Sequence, residues 1–267
     1  MRLLFFTNPN KPNASHLMGE LFGIASTMGH CCTSVTDTTE LLNTVNTEGD
    51  CISCIVTMGG DGTILRAVVA GAKHNIPILG VNMGRVGFFS EIGTDGFLYA
   101  LERMQRGDYH IEQRGMLRCY VENKPIADCM NDFTLHRQEL ASTVQLEITI
   151  DGDNVGNLMA DGLIISTPSG STAYTMSAGG PVVAPSLNCM LITPICPHSL
   201  TVRPIVASVD SVVYVTVESE CRLIADGQNL MRLLPNSIVR VERSVYTASF
   251  IRFDKRNIFK LIREKLI

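Results

Sequence analysis

The run Cys51-Ile-Ser-Cys-Ile-Val-Thr-Met58 is apolar, and it breaks at once into Gly59-Gly60-Asp61-Gly62-Thr63. Glycine lacks a Cβ, so such a turn lets the backbone take positive φ and approach a ligand closely. A turn that closes a strand and opens a helix offers unpaired N–H groups to an anion, most often a phosphate. Asp61 places a carboxylate where those phosphates would lie. A negative group beside negative groups needs a reason. Two fit: holding a magnesium ion, or taking a proton from an attacking hydroxyl.

Three further clusters carry candidate chemistry. The run Asp161-Gly-Leu-Ile-Ile-Ser-Thr-Pro-Ser-Gly-Ser-Thr-Ala-Tyr-Thr-Met-Ser-Ala-Gly-Gly180 starts as a strand and dissolves into hydroxyl residues and glycines. Ser169, Thr172 and Ser177 offer hydroxyls, and Tyr174 offers a ring face and a polar tip. Adenine or ribose recognition would use such a surface; a solvated Ser/Gly turn is the bland alternative. Asn131-Asp132 puts an amide beside a carboxylate, which suits ribose hydroxyls or an adenine edge as well as a plain turn. In Thr193-Pro-Ile-Cys-Pro-His-Ser-Leu200, two prolines hold His198 in a rigid loop, although a lone histidine is usually structural.

The elements that must position these clusters divide the chain in two. Strand-like runs at Leu3–Phe6, Ile52–Met58 and Pro77–Val81 alternate with helical patterns at Ser15–Met28, Thr36–Val45, Thr63–Ala72 and Gly96–Met104. That alternation predicts a parallel sheet with helices on both faces. After His110 short alternating strands take over, at Met116–Glu122, Val144–Ile150, Leu163–Ser166, Ser211–Val217 and Val239–Arg243, with Asp151-Gly152 as a hairpin turn. The expectation is an α/β, Rossmann-like first domain (1–108), an all-β, sandwich-like second domain (109–248), and a C-terminal helix (249–267) packed back on the first. That helix carries Ile258, Leu261, Ile262 and Leu266 on one side. The loop Gly84-Arg-Val-Gly-Phe-Phe89 follows the third of these strands.

Composition narrows the function classes. The 267 residues are 45% hydrophobic and 18% charged, as in a soluble globular protein. A formal net charge of −4 argues against a nucleic-acid partner, and no apolar run approaches a membrane span. Nine cysteines without a secretion signal fit free thiols in a reducing cytoplasm. Cys51 and Cys54 form a C-x-x-C without a second pair, and both read as small buried apolar residues rather than metal ligands.

Taken in order, Gly59-Gly-Asp-Gly-Thr63, Asn131-Asp132, the Asp161–Gly180 run and Thr193–Leu200 resemble the NAD kinases, in their compact bacterial form. The turn alone is also similar to that of lipid kinases and 6-phosphofructokinases; the run ending Ser-Thr-Ala-Tyr-x-x-Ser-Ala-Gly-Gly is far more specific. The resemblance implies phosphorylation of the 2′-hydroxyl of the adenosine ribose of NAD, with ATP or another phosphoryl donor and magnesium or another divalent metal. It implies Asp61 as general base and Gly59, Gly60 and Gly62 as the phosphate-facing turn. Arg66 would add positive charge near the phosphates, and Phe88 would help close the site. Asn131, Asp132, Asp161, Thr172, Ala173, Tyr174, Thr175, Met176, Ser177 and Gln228 would contact the dinucleotide, in a cleft between the domains. No dedicated protein ligands for the metal are implied beyond Asp61, with the donor phosphates holding it. A cytoplasmic homodimer or homotetramer is expected.

Two positions depart from the family pattern. Asp132 stands where the family usually has glutamate. Met159 stands where a polar residue accompanies NAD preference and glycine accompanies NADH acceptance. The rival readings are a lipid kinase sharing the turn, for which no basic amphipathic stretch is present, and a non-catalytic dinucleotide sensor.

Overall fold

The computed structural model describes residues 1–8, 13–84, 87–139, 142–254 and 261–263. It comprises two compact units: Met1–Gln113 with Thr247–Ile267, and Arg114–Tyr246.

In the first unit, β1 (Arg2–Thr7), β2 (Cys31–Val35), β3 (Cys54–Met58), β4 (Ile78–Asn82) and the short β5 (Ile92–Gly93) alternate with α1 (Ala14–Thr27), α2 (Thr38–Glu48), α3 (Asp61–Ala72) and α4 (Phe97–Gln105). The strands run in the order β2-β1-β3-β4, and β1 is parallel to both β2 and β3, as β4 is to β3 and β5. The inner strands are continuous apolar runs because helices cover both faces; every residue of β3 and β4 is buried. Leu3, Phe5, Val56, Leu79, Val81, Phe97 and Leu101 share one core, joined by Ile251 and Phe253 from the last part of the chain. Asp37 caps α2 by accepting from the Thr39 and Glu40 N–H groups at 2.8 and 3.2 Å.

The second unit takes up the chain from within β6 (His110–Val121). It continues through β7 (Lys124–Cys129), β8 (Asp132–Arg137), β9 (Val144–Ile150), β10 (Asp153–Ala160), β11 (Gly162–Ser166), β12 (Cys189–Ile195), β13 (Ile205–Ser208), β14 (Val213–Val217), β15 (Cys221–Ala225), β16 (Gln228–Leu233) and the first part of β17 (Ile238–Arg252). One antiparallel sheet runs β13-β12-β11-β8-β15-β16; the other places β14 between β9 and β17. Alternate residues of both sheets, among them Phe133, Leu163 and Ile192 from one and Leu146, Val215 and Val239 from the other, form a single core. This is the expected β-sandwich. The Asp151-Gly152 turn has φ of 53° and 91°, the geometry a two-residue hairpin of the right twist requires.

Two sequence expectations are corrected. The segment Cys31–Val35 is a strand that pattern reading missed, because an edge strand with mostly part-exposed residues lacks an apolar run. Cys51 is exposed in a short turn before β3, not buried in it; only Cys54 enters the sheet, where burial pushes its thiol up to about 12. All nine cysteines are free. Of the C-terminal helix expected over 249–267, residues 249–252 instead continue β17 and residues 261–263 are helical, while Ile258 and Leu266 lie outside the described residues. Among the described residues no helix is long and apolar enough to cross a membrane.

Leu79 is fully buried beside the glycine turn's own strand. Leu79→Ala should lower unfolding free energy by about 2–5 kcal/mol, read from denaturant melts. A loss below about 1 kcal/mol would mean the core tolerates the cavity and is looser than its burial indicates.

Candidate active site

Asp61 is the first residue of α3, and Gly60 precedes it in an extended conformation. A carboxylate here sits at the positive end of the helix. It also accepts from two backbone N–H groups of the following loop, Phe88 to Oδ2 at 2.9 Å and Phe89 to Oδ1 at 3.1 Å. The loop can come this close only because residue 87 is glycine; a Cβ there would collide with the Asp61 carboxylate. Gly59 has a φ of 150°. A Cβ on Gly62 would meet nothing, so the surface above it is open. Arg66 is exposed one turn along the helix, and Phe88 is half-buried. The side chain is thus fixed in place, yet each oxygen retains a further lone pair for a proton or a cation.

The second unit gathers the other clusters. Asn131 and Asp132 lie at the start of β8, 8% and 5% exposed. The Ser169–Thr172 turn and the short helix α5 (Tyr174–Ser177) follow β11, the neighbouring strand. They meet through Thr167, whose hydroxyl donates to the Met130 carbonyl at 2.6 Å and whose N–H donates to the Asn131 carbonyl at 2.8 Å. Gly170 packs directly on Asn131, leaving no space for a Cβ against the Asn131 backbone. Asn131 Oδ1 is buried and accepts no hydrogen bond among the described residues, which suits an acceptor reserved for a ligand.

Individual residues of the Ser/Gly run differ in what they expose. Thr175 is fully buried and its hydroxyl donates to Ser166 at 2.8 Å, so its side chain serves the fold. The Thr172 hydroxyl donates to the Ser169 carbonyl at 3.3 Å. Ala173 and Met176 are half-buried, whereas Tyr174 and Ser177 face solvent. Partial burial of the Tyr174 ring raises its hydroxyl, and the charges of Cys196, Asp161 and Asp132 add to the rise. Asp161 is paired with Arg137 at 2.8 Å. Gln228 is exposed at the start of β16, and His198 is exposed in its loop, its N–H donating to the Met159 carbonyl at 2.9 Å. Met159 itself is exposed on β10.

Asp226 was not singled out from sequence. It occupies the β15–β16 turn with Gly227, at φ of 47° and 76°. Its carboxylate accepts from the N–H groups of Met130, Asn131 and Asp132 at 2.9, 2.7 and 3.2 Å. One side chain therefore sets the backbone of both candidate ligand contacts. The only sequence signal was an Asp-Gly dipeptide between two strand-like runs, which reads as a turn and nothing more. Burial raises the Asp226 carboxyl, and the three N–H donors oppose that rise. Asp132 is pushed up to about 7 by burial, then by the Asp226 charge, with the Thr134 hydroxyl pulling the other way.

The sign of the pH effect follows. A carboxyl raised in the folded state keeps its proton there after the unfolded chain has lost it, so its contribution is full below about pH 4 and is lost as pH rises through about 7. Asp132→Asn removes that penalty. Thermal melts should show the variant gaining stability relative to wild type at pH 8, on the order of a few kcal/mol, with little gain at pH 4. An equal shift at both values would contradict a raised Asp132.

The chain is similar to known proteins over most of its length. Residues 20–109 match the ATP-NAD kinase N-terminal domain, and residues 130–253 match the ATP-NAD kinase C-terminal domain. The NAD kinase of Symbiobacterium thermophilum is 38% identical over 222 residues, covering 80% of this chain and 78% of that protein. That of Methanothermobacter thermautotrophicus is 42% identical over 216 residues, covering 80% and 76%. The crystal structure of yeast NADH kinase complexed with NADH is similar with a TM-score of 0.87 at 25% identity, over 100% of this chain and 87% of that one. An NAD kinase from Archaeoglobus fulgidus in complex with ATP gives 0.81 at 27% identity, over 98% and 99%. Carrying both domains and their motifs in order, the chain belongs to the ATP-NAD kinase family.

Proposed function

We propose that this member of the NAD kinase family transfers the terminal phosphoryl group of ATP to the adenosine-ribose 2′-hydroxyl of NAD, with Asp61 as the base. The observation that carries the assignment is the placement of Asp61 at the head of α3 under two backbone N–H donors. A ribose hydroxyl is a poor nucleophile at neutral pH, and a fixed carboxylate accepts its proton as the oxygen–phosphorus bond forms. The rest of phosphoryl transfer depends on alignment and on neutralising charge. Gly60 and Gly62 are assigned to the phosphate-facing turn, where the space above Gly62 is open, and Arg66 supplies a positive charge one turn on.

Asn131 and Asp132 are the proposed ribose and adenine contacts, with Asp161, Tyr174, Met176, Ser177 and the backbone of Thr172, Ala173 and Thr175 around them. Phe88 and Gln228 are assigned contact roles at the edges of the ligand. Asp132 replaces a longer glutamate, so its contact to ribose is shorter in reach. Among the described residues no group of three metal-ligating side chains occurs. A divalent cation carried on the donor phosphates fits this chain, because Asp61 has lone pairs to offer it; the ion would offset charge on the transferring group. We assign the protein to the cytoplasm, as a homodimer or homotetramer.

The reaction is tested by mixing purified protein with ATP, magnesium and NAD and following NADP with an NADP-specific dehydrogenase. Parallel wells hold NADH, a lipid diol and Asp61→Ala. NADP from the wild type alone is the expected result. Tight NAD binding without NADP from any donor would turn the reading to a sensor, and phosphorylated lipid would turn it to a lipid kinase. The Gly170 contact adds a second expectation. Gly170→Ala must displace the Asn131 backbone and should raise KM for NAD about tenfold or more, with KM for ATP little changed. Equal KM values for NAD in variant and wild type would remove Asn131 from the dinucleotide contacts.

A further inference from the structure

Among the described residues Arg252 is the largest fully buried side chain, 1% exposed, and it lies far in sequence from Asp61. A guanidinium is always charged, so complete burial requires close partners. Nε donates to Glu112 at 2.7 Å; Nη1 donates to Glu91 and to the Phe89 carbonyl, both at 3.0 Å. The other Glu91 oxygen accepts from the Phe253 N–H at 3.0 Å, so Glu91 grips the same strand end twice. Phe89 stacks on Phe250, with ring centroids 5.8 Å apart, and the Arg252 guanidinium lies 5.0 Å from the Phe250 centroid.

These contacts converge on one segment. Phe89 and Glu91 belong to the stretch whose Phe88 and Phe89 N–H groups hold Asp61. Further anchors include the Gly87 N–H to the Ser90 hydroxyl at 2.7 Å, the Asn82 amide to the same hydroxyl at 3.4 Å and the Glu91 N–H to the Gly80 carbonyl at 2.7 Å. Phe89 thus links the two ends through its two flanking peptides: its N–H faces Asp61 and its carbonyl faces Arg252. Glu112 pairs with the same guanidinium but does not lie on this segment.

We propose that Arg252 and Glu91 are positioning residues for phosphoryl transfer, clamping residues 87–91 so that their backbone donors hold the Asp61 carboxylate in its reactive place. The proposal rests on the assignment of Asp61 as the base. A clamp of this kind acts on the chemical step and not on nucleotide affinity. A merely structural ion pair would lower stability and leave the turnover of folded enzyme alone.

The test compares Glu91→Gln, Glu112→Gln, Arg252→Lys and Asp61→Asn with wild type, measuring kcat, both KM values and Tm on the full chain. Glu91→Gln should lower kcat about tenfold or more with both KM values within about twofold, since a small misplacement of a catalytic group costs rate. Arg252→Lys, which keeps the charge and loses the fork, should fall between Glu91→Gln and wild type. Glu112→Gln should keep kcat within about twofold even where its Tm falls as far. Equal kcat in Glu91→Gln and Glu112→Gln would overturn the clamp. Should Glu91→Gln yield no folded protein, Glu91→Asp, charged but one methylene short, carries the same comparison with Glu112→Gln. Full turnover in Asp61→Asn would overturn the base assignment instead; an inactive Asp61→Asn beside a fully active Glu91→Gln would remove the clamp alone.

Discussion

The hold of two backbone N–H groups on the Asp61 carboxylate is the interaction from which the first unit's design follows. A carboxylate that must meet phosphates cannot be left to choose its rotamer, because repulsion would drive it away. Here the start of α3 and the Phe88 and Phe89 amides supply partial positive charge from groups that carry none of their own. Everything nearby serves that arrangement. Gly87 admits the loop against the carboxylate, the buried inner strands β3 and β4 set the turn and the loop side by side, and Arg252 ties the loop's far side to the strand end.

The second unit solves a related problem with side chains in place of helix ends. Asp226 gathers three successive N–H groups and so shapes the Asn131–Asp132 backbone, at the cost of setting its charge beside Asp132. Two carboxyls in a desolvated site do not both ionise readily, so the pair keeps a proton to higher pH than either would alone. Such a site is chemically versatile, since a protonated carboxyl donates where an ionised one accepts. Gly170 and Thr167 bring the hydroxyl-rich turn onto the same backbone, and Asn131 Oδ1 is left buried and unengaged by the described residues.

Much of this was legible in the sequence, and the boundary has a physical origin. Glycine turns, helical periodicity and strand alternation are local, so β3, the Gly59–Gly62 turn, α3 and the hairpin at Asp151-Gly152 could be read directly. The motif order identified the family because it samples both domains. Arg252, Glu91, Asp226 and Arg137 were not legible as site residues. Each acts through a partner distant in sequence, and a single arginine or aspartate in a strand or turn has no local signature of burial. Thr175 shows the converse: its place in the hydroxyl-rich run suggested a ligand contact, and its hydroxyl is engaged by Ser166 in the interior, which leaves its backbone for that role. β2 was missed because an edge strand carries no apolar run, and Cys51 was misplaced because nothing local marks where the turn at Gly49–Cys51 ends and β3 begins.

The central claim is that Asp61 acts in the chemical step and not in binding. Calorimetry of NAD binding to Asp61→Asn, paired with its single-turnover rate under saturating ATP and magnesium, tests this most directly. The account predicts a dissociation constant within about threefold of wild type and a rate lower by about a thousandfold, the range a placed base supplies. Loss of NAD affinity in proportion to the loss of rate, or a rate within about tenfold of wild type, would contradict it.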